Sequence, residues 1–377
     1  MEQTKKANSR NGFIDILRVV FALLVVEYHL YDAGDVGYPL GKIGVEYFVI
    51  LSGFLFFLGW KRRVSSEASL EDRLCYWKNY MVQRFFRFFW YALIAFIVTF
   101  LVVRVWRDGI VSVGGLANAL SGDIWEILLI KMNGLNRGAN MLNGPVWTLS
   151  SMLLAEFFIL GMLTWGSKFF LSFFMPASML CGFGYWVNME VAAINKFLGL
   201  FTFGTLRVYL LTCFGIVSYL ICEKILKQVE FTVLGRWLLT FIEVATYIGV
   251  LIVAYNRNSR NWQFVCICSM SIAIAIGFSK HSYTSTIFKS NRVTNFLADY
   301  SFGVYLIHKA VLYVLEAKYP DVQIQLEHEG EFIVAVIVIG LIYTLFMYGF
   351  MRALPHMKKT AEFLLIQPKS VLAEKKQ

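Results

Sequence analysis

Charge is what this 377-residue chain has least of: Asp, Glu, Lys and Arg together make up only 16% of it. Soluble domains carry about 25%. The apolar and aromatic set reaches 58%, more than a sphere of this size can hide from water, so the missing solvent is lipid. Proline is scarce, at six, and 28 glycines are few for a strand-and-turn barrel. The six cysteines have neither zinc nor redox spacing, and all but Cys75 fall inside apolar segments, where a small core residue is the ordinary reading. No disulfide framework is implied. Repeats, low-complexity segments and a second soluble domain are also missing. Lys and Arg exceed Asp and Glu by ten, yet no basic run with interleaved aromatics points to nucleic acid.

What is present fits a bilayer. The 34 Phe, 19 Tyr and 10 Trp suit its two faces. A helix needs about 20 residues to cross the hydrocarbon. Apolar stretches of that size run near 13–30, 42–60, 86–104, 145–164, 169–188, 205–226, 233–255, 262–279, 296–315 and 332–352. The expected fold is all-α, a polytopic membrane bundle of about ten transmembrane helices. Residues 1–12 and 353–377 are expected to be polar cytoplasmic tails around a transmembrane domain at 13–352. With both termini inside, the inner segments hold the Lys61–Arg87 cluster, Lys224, Lys227, Arg236, Lys280, Lys289 and Arg292, while 316–331 is acidic. That agrees with the positive-inside rule. Asp123–Met132 is amphipathic and too short to span, so it is expected to lie flat or re-enter.

Ionisable groups inside spans are costly and mark function or packing. In the first span Arg18 and His29 are eleven residues apart, which at about 100° per residue returns to one face. Asp15 lies one turn before Arg18. The stripe runs roughly 16 Å from Arg18, toward the cytoplasm, to His29, toward the outer leaflet. A structural Asp15–Arg18 pair is the plain alternative. Glu46 in the second span is hard to explain as packing, whereas Gly41, Gly44, Ser52 and Gly53 permit close helix approach. Arg84 and Arg87 share a face at the cytoplasmic edge: topology charge, or a phosphate site suited to arginine forks. The fourth span carries Trp147 and, well inside, Glu156. In the ninth, Ser301 and His308 share a face, with Tyr305 nearby, and His308 lies at a depth comparable with His29. Two histidines there would flank one reaction centre; they do not make a zinc site, and no metal is expected.

Four segments in order resemble the integral membrane acyltransferase-3 family: FIDILRVVFALLVVEYH, GVEYFVILSGF, the arginine pair in YMVQRFFR, and SFGVYLIH. PVWTLS is a weaker fifth. The resemblance spans 13–352 and implies a multi-pass protein of a bacterial plasma (inner) membrane. It implies transfer of an acetyl or other short acyl group from cytoplasmic acyl-CoA, probed first as acetyl-CoA, to a hydroxyl of a cell-surface polysaccharide or lipid-linked sugar. By matching position it implicates Arg18 and His29 as catalytic, and Arg18, Ser52, Gly53, Arg84 and Arg87 in holding the donor. Asp15, Glu46, Trp147, Glu156, Ser301, Tyr305 and His308 are supporting polar or aromatic positions. One departure stands out. Many members have Glu five residues after the tryptophan; here that residue is Met152, with Glu156 one turn later.

The expected chemistry has His29 taking the proton of the acceptor hydroxyl, with Glu46, Glu156 or His308 orienting the imidazole. Direct transfer and an acyl-enzyme both stay open, as does a homo-oligomer. The residues alone also leave open a proton-coupled transporter or flippase of a lipid-linked sugar or organic anion. Against it stand the lack of an internal repeat and of a matched pair of broken helices.

Overall fold

The structure is a computed structural model and describes residues 11–32, 42–65, 67–129, 142–188, 197–198, 201–256 and 260–353. The two expected tails lie largely outside the described residues, as does the end of the Asp123–Met132 segment. Every one of the ten apolar stretches falls on a helix. In chain order the α-helices among the described residues are α1 (Gly12–Asp32), α2 (Ile43–Arg63), α3 (Leu70–Phe100), α4 (Val113–Ile127), α5 (Val146–Phe169), α6 (Met175–Asn188), α7 (Phe203–Lys224), α8 (Val233–Asn256), α9 (Arg260–Ser279), α10 (Thr284–Ile287), α11 (Arg292–Lys318), α12 (Val322–Glu327) and α13 (Glu329–Ala353). The only strands among the described residues form a two-rung ladder before α7, Phe197 facing Thr202 and Leu198 facing Phe201. The protein is an all-α, polytopic membrane protein.

Among the described residues, seven helical runs are long and apolar enough to cross a membrane: Ile43–Arg63, Leu70–Arg107, Val146–Asn188, Phe203–Gln228, Val233–Asn256, Trp262–Ser279 and Glu329–Arg352. Two of them are longer than the apolar pattern suggests. α3 begins well before its apolar stretch because Ser69 caps it, accepting from the Asp72 amide, with Glu71 and Asp72 in the first turn. It then continues through a π-helical stretch, Leu101–Arg107. The 43-residue run Val146–Asn188 breaks at Gly166, whose φ of −161° and ψ of 74° leave the helical region. It then folds back. Ser151 meets Thr205 across 3.3 Å, while the ring of Trp186 lies 6.4 Å from that of Phe203. Both ends of the run therefore touch the start of α7, where a straight helix would set Ser151 and Trp186 about 50 Å apart.

Small residues bring the inner helices together. A Cβ on Gly53 would lie 2.5 Å from the Thr212 carbonyl oxygen, and one on Gly215 would run into that of Ile50. α2 and α7 thus cross backbone to backbone, as the small-residue reading of the second span anticipates. Gly44 packs on the Phe21 carbonyl of α1 in the same way, and Gly303 of α11 packs on Thr344 of α13. Lipid replaces protein on the outer faces, where Leu234, Leu238 and Phe241 of α8 and Ile342, Leu345 and Phe346 of α13 are exposed.

Gly215→Val is expected to destroy the α2–α7 crossing, since overpacking a tight core costs about 1–3 kcal/mol even where the backbone can yield. Gly249→Ala, with nothing within 4 Å of its added carbon, serves as the control. Thermal melting and gel filtration of the two variants in detergent check this. Equal behaviour would remove the crossing as a constraint.

α4 has its polarity turned inward. Asp123 and Glu126 are buried, while Val113, Leu120, Ile124, Trp125 and Leu128 are exposed on or just beyond the helix.

Candidate functional site

α1 supplies the central stripe. Asp15 and Arg18 form an ion pair at 3.6 Å, longer than a hydrogen bond. Arg18 keeps 22% of its side chain exposed, and its Nε has no hydrogen-bond partner among the described residues. Its fork is therefore open to a ligand. Around this half of the stripe the packing is aromatic: Tyr47 stacks on Phe21 at 4.2 Å, Tyr247 meets both edge-on, and the Tyr47 hydroxyl donates to the Ile14 carbonyl.

At the other end, α1 and α11 bring the two histidines together. The rings of His29 and His308 lie 5.2 Å apart and 25° from parallel. His29 is half-buried, whereas His308 is fully enclosed, with neither ring nitrogen hydrogen-bonded among the described residues. Lys42 and Lys309 lie within electrostatic reach of His29. The expected convergence of the two histidines is what the structure shows.

The segment PVWTLS seats α11. The Tyr305 hydroxyl lies 2.9 Å from Thr148 Oγ1 and 3.1 Å from the Pro145 carbonyl, and Phe48 of α2 faces the same ring at 6.0 Å. Trp147 is half-buried against the core. The Ser301 hydroxyl donates to the Ala298 carbonyl of its own helix, so that residue serves α11 rather than His308.

The carboxylates proposed to orient His29 are engaged elsewhere. Glu46, fully buried, accepts from Arg207 of α7 and Gln263 of α9. Arg207 also lies over the Trp186 ring at 5.2 Å. Glu156 accepts from both arms of the Arg84 fork at 3.0 and 2.9 Å and from Tyr80 at 3.1 Å. Arg84 donates to Ser52 as well. These paired groups explain how such charges persist inside the bundle. Of the three orienting candidates, only His308 touches the His29 ring.

The two arginines of α3 thus part company. Arg84 is held between helices by Glu156 and Ser52 and stacks on Phe88 at 4.4 Å. Arg87 is exposed, within electrostatic reach of Arg18, Arg84 and Asp299. Gly53 faces α7, and Met152 is buried among apolar side chains.

Four polar residues were missed by sequence reasoning. Arg207 and Glu243 lie within apolar spans, and their cost there was a legible signal. Glu243 is fully buried and accepts from Thr284 at 2.7 Å. Glu126 and Asn143 come from the stretch between α4 and α5, where nothing in the pattern marks them. Among the described residues, no three His, Cys, Asp or Glu side chains converge as metal ligands would.

A helical bundle with an arginine-to-histidine stripe through its interior, closed by a second histidine, is a membrane protein built to work inside its own core. The chain belongs to the acyltransferase-3 family, whose profile, described as an acyltransferase domain, matches residues 11–352. It is a membrane acyltransferase. No curated protein and no solved structure matches it.

Proposed function

We propose that the protein is an O-acyltransferase that takes a short acyl group from cytoplasmic acyl-CoA and delivers it to a hydroxyl of a cell-surface polysaccharide or lipid-linked sugar. The observation that carries this reading is the polarity of the stripe: an open arginine fork at one end and a histidine pair at the other. Arg18 and exposed Arg87 hold the donor's phosphates, since arginine forks match phosphate oxygens. The pantetheine arm follows the α1 face, bringing the thioester to His29.

There the acceptor hydroxyl attacks the thioester carbonyl while His29 takes its proton. A C–O bond forms, the C–S bond breaks, and the imidazolium returns the proton to the departing thiolate. The products are the ester and CoA with a free thiol, and His29 ends neutral. His308 holds the His29 ring in position.

The reading includes ten spans, with both termini in the cytoplasm of a bacterium. Its support is that α1 and α11 have spanning length, 21 and 27 residues, although polar groups such as Asp15, Arg18, Asp299 and His308 lower their apolarity. The folded-back Val146–Asn188 run supplies two passes. These additions bring the seven apolar runs to ten.

The test is thioester turnover. Full-length protein in nanodiscs, given acetyl-CoA and a panel of methyl hexopyranosides, is expected to release free thiol and form acetylated glycoside. Movement of sugar across a sealed vesicle without thiol release would make it a transporter instead.

A further inference from the structure

The segment that leads into α5 reaches α11, near His308, through one buried side chain. Glu126 accepts from the backbone amides of Leu142 and Asn143, at 2.9 and 2.6 Å, and so clamps the returning chain to α4. Asn143 is fully buried, and its Nδ2 donates to the Leu306 carbonyl at 3.0 Å, two residues before His308. Its neighbour Gly144 lies against Lys309, and Pro145 accepts from Tyr305. The segment therefore lines the part of α11 that carries His308.

The chemistry fixes which way the amide points. A carbonyl oxygen only accepts, so Asn143 must turn its NH2 toward Leu306. Its Oδ1 then faces away, and it has no partner among the described residues. Buried acceptors without partners are rare and call for an explanation. A ligand hydroxyl donating to Oδ1 would complete it. Oδ1 can only accept a hydrogen bond, so it is no oxyanion donor, and the reacting hydroxyl's single proton goes to His29. What Oδ1 fits is a second O–H beside the first.

Resting on the acyl-transfer reading above, we propose that Asn143 is a specificity-determining residue that binds, through Oδ1, a hydroxyl adjacent to the one acylated. The acceptor class is then a vicinal diol, as on a sugar ring, and not a simple alcohol. Glu126 acts through Asn143 as a positioning residue.

The experiment compares methyl hexopyranosides with their monodeoxy analogues, using full-length protein in nanodiscs and acetyl-CoA as donor. Wild type is expected to favour the intact glycoside at least 10-fold in kcat/KM over the analogue lacking the neighbouring hydroxyl. Asn143→Ala is expected to lose that preference by slowing only the intact glycoside, with CoA affinity unchanged. A merely structural role would slow both acceptors alike, and that result overturns the proposal. So does a fall in CoA affinity, which would assign Oδ1 to a pantetheine amide. If Asn143→Ala does not fold, the wild-type comparison decides alone: equal use of both acceptors overturns it. Wild type that releases no thiol with any acceptor overturns the acyl-transfer reading as well, which separates the two failures.

Discussion

Alanine at position 29 is expected to cut acyl transfer by about 10²–10⁴, the usual loss when a general base is removed. CoA affinity should hardly change, because Arg18 lies roughly 16 Å down the helix and keeps its own surroundings. His308 is the informative comparison. Its ring stacks on His29 but is wholly enclosed. His308→Phe, which keeps a ring for the stack, should therefore retain more turnover than His308→Ala, whereas His29→Phe should be as inactive as His29→Ala. Single-turnover thiol release and CoA titration on the four variants separate the roles. Near-normal turnover in His29→Ala would remove the proposed chemistry.

The second large effect concerns stability. Glu156→Leu leaves the Arg84 charge without its carboxylate, and Arg84→Met leaves Glu156 unpaired; Arg84 is 15% exposed and Glu156 only 1%. Breaking a buried pair from one side costs about 3–5 kcal/mol, whereas replacing both members with apolar groups is often neutral. Each single variant should melt far below wild type, and Arg84→Met with Glu156→Leu should recover most of the loss. CoA binding by that double variant then reports on Arg84 directly. Retained affinity leaves phosphate holding to Arg18 and Arg87; lost affinity gives Arg84 a share in it. Singles that melt like wild type would show that water reaches the pair.

The sequence carried the spans and the faces but not the partners. Helical periodicity put Arg18 and His29 on one side of α1, and matched depth put His308 beside them, because both relations need only a rise and an angle per residue. Periodicity is silent on azimuth between helices. Hence Glu46 was a candidate for His29 and lies with Arg207 and Gln263, while Glu156 lies with Arg84. The carboxylate one turn beyond Met152 turns toward α3 and away from the histidines. The start of α3 was invisible for another reason: Leu70–Arg84 is too polar to register as a span, yet it is helical from its serine cap onward. Glu126 and Asn143 meet through backbone amides, which leave no trace in residue type.

The glycine crossing of α2 and α7 also limits how the molecule can move. Side-chain layers let packed helices slide by rotamer changes, but two backbones in direct contact have no such bearing. The pair forms one stiff post through the bundle. Any rearrangement of the surrounding helices has to take place around that post, and α11, clasped to α13 through Gly303, shares a second close contact of the same kind.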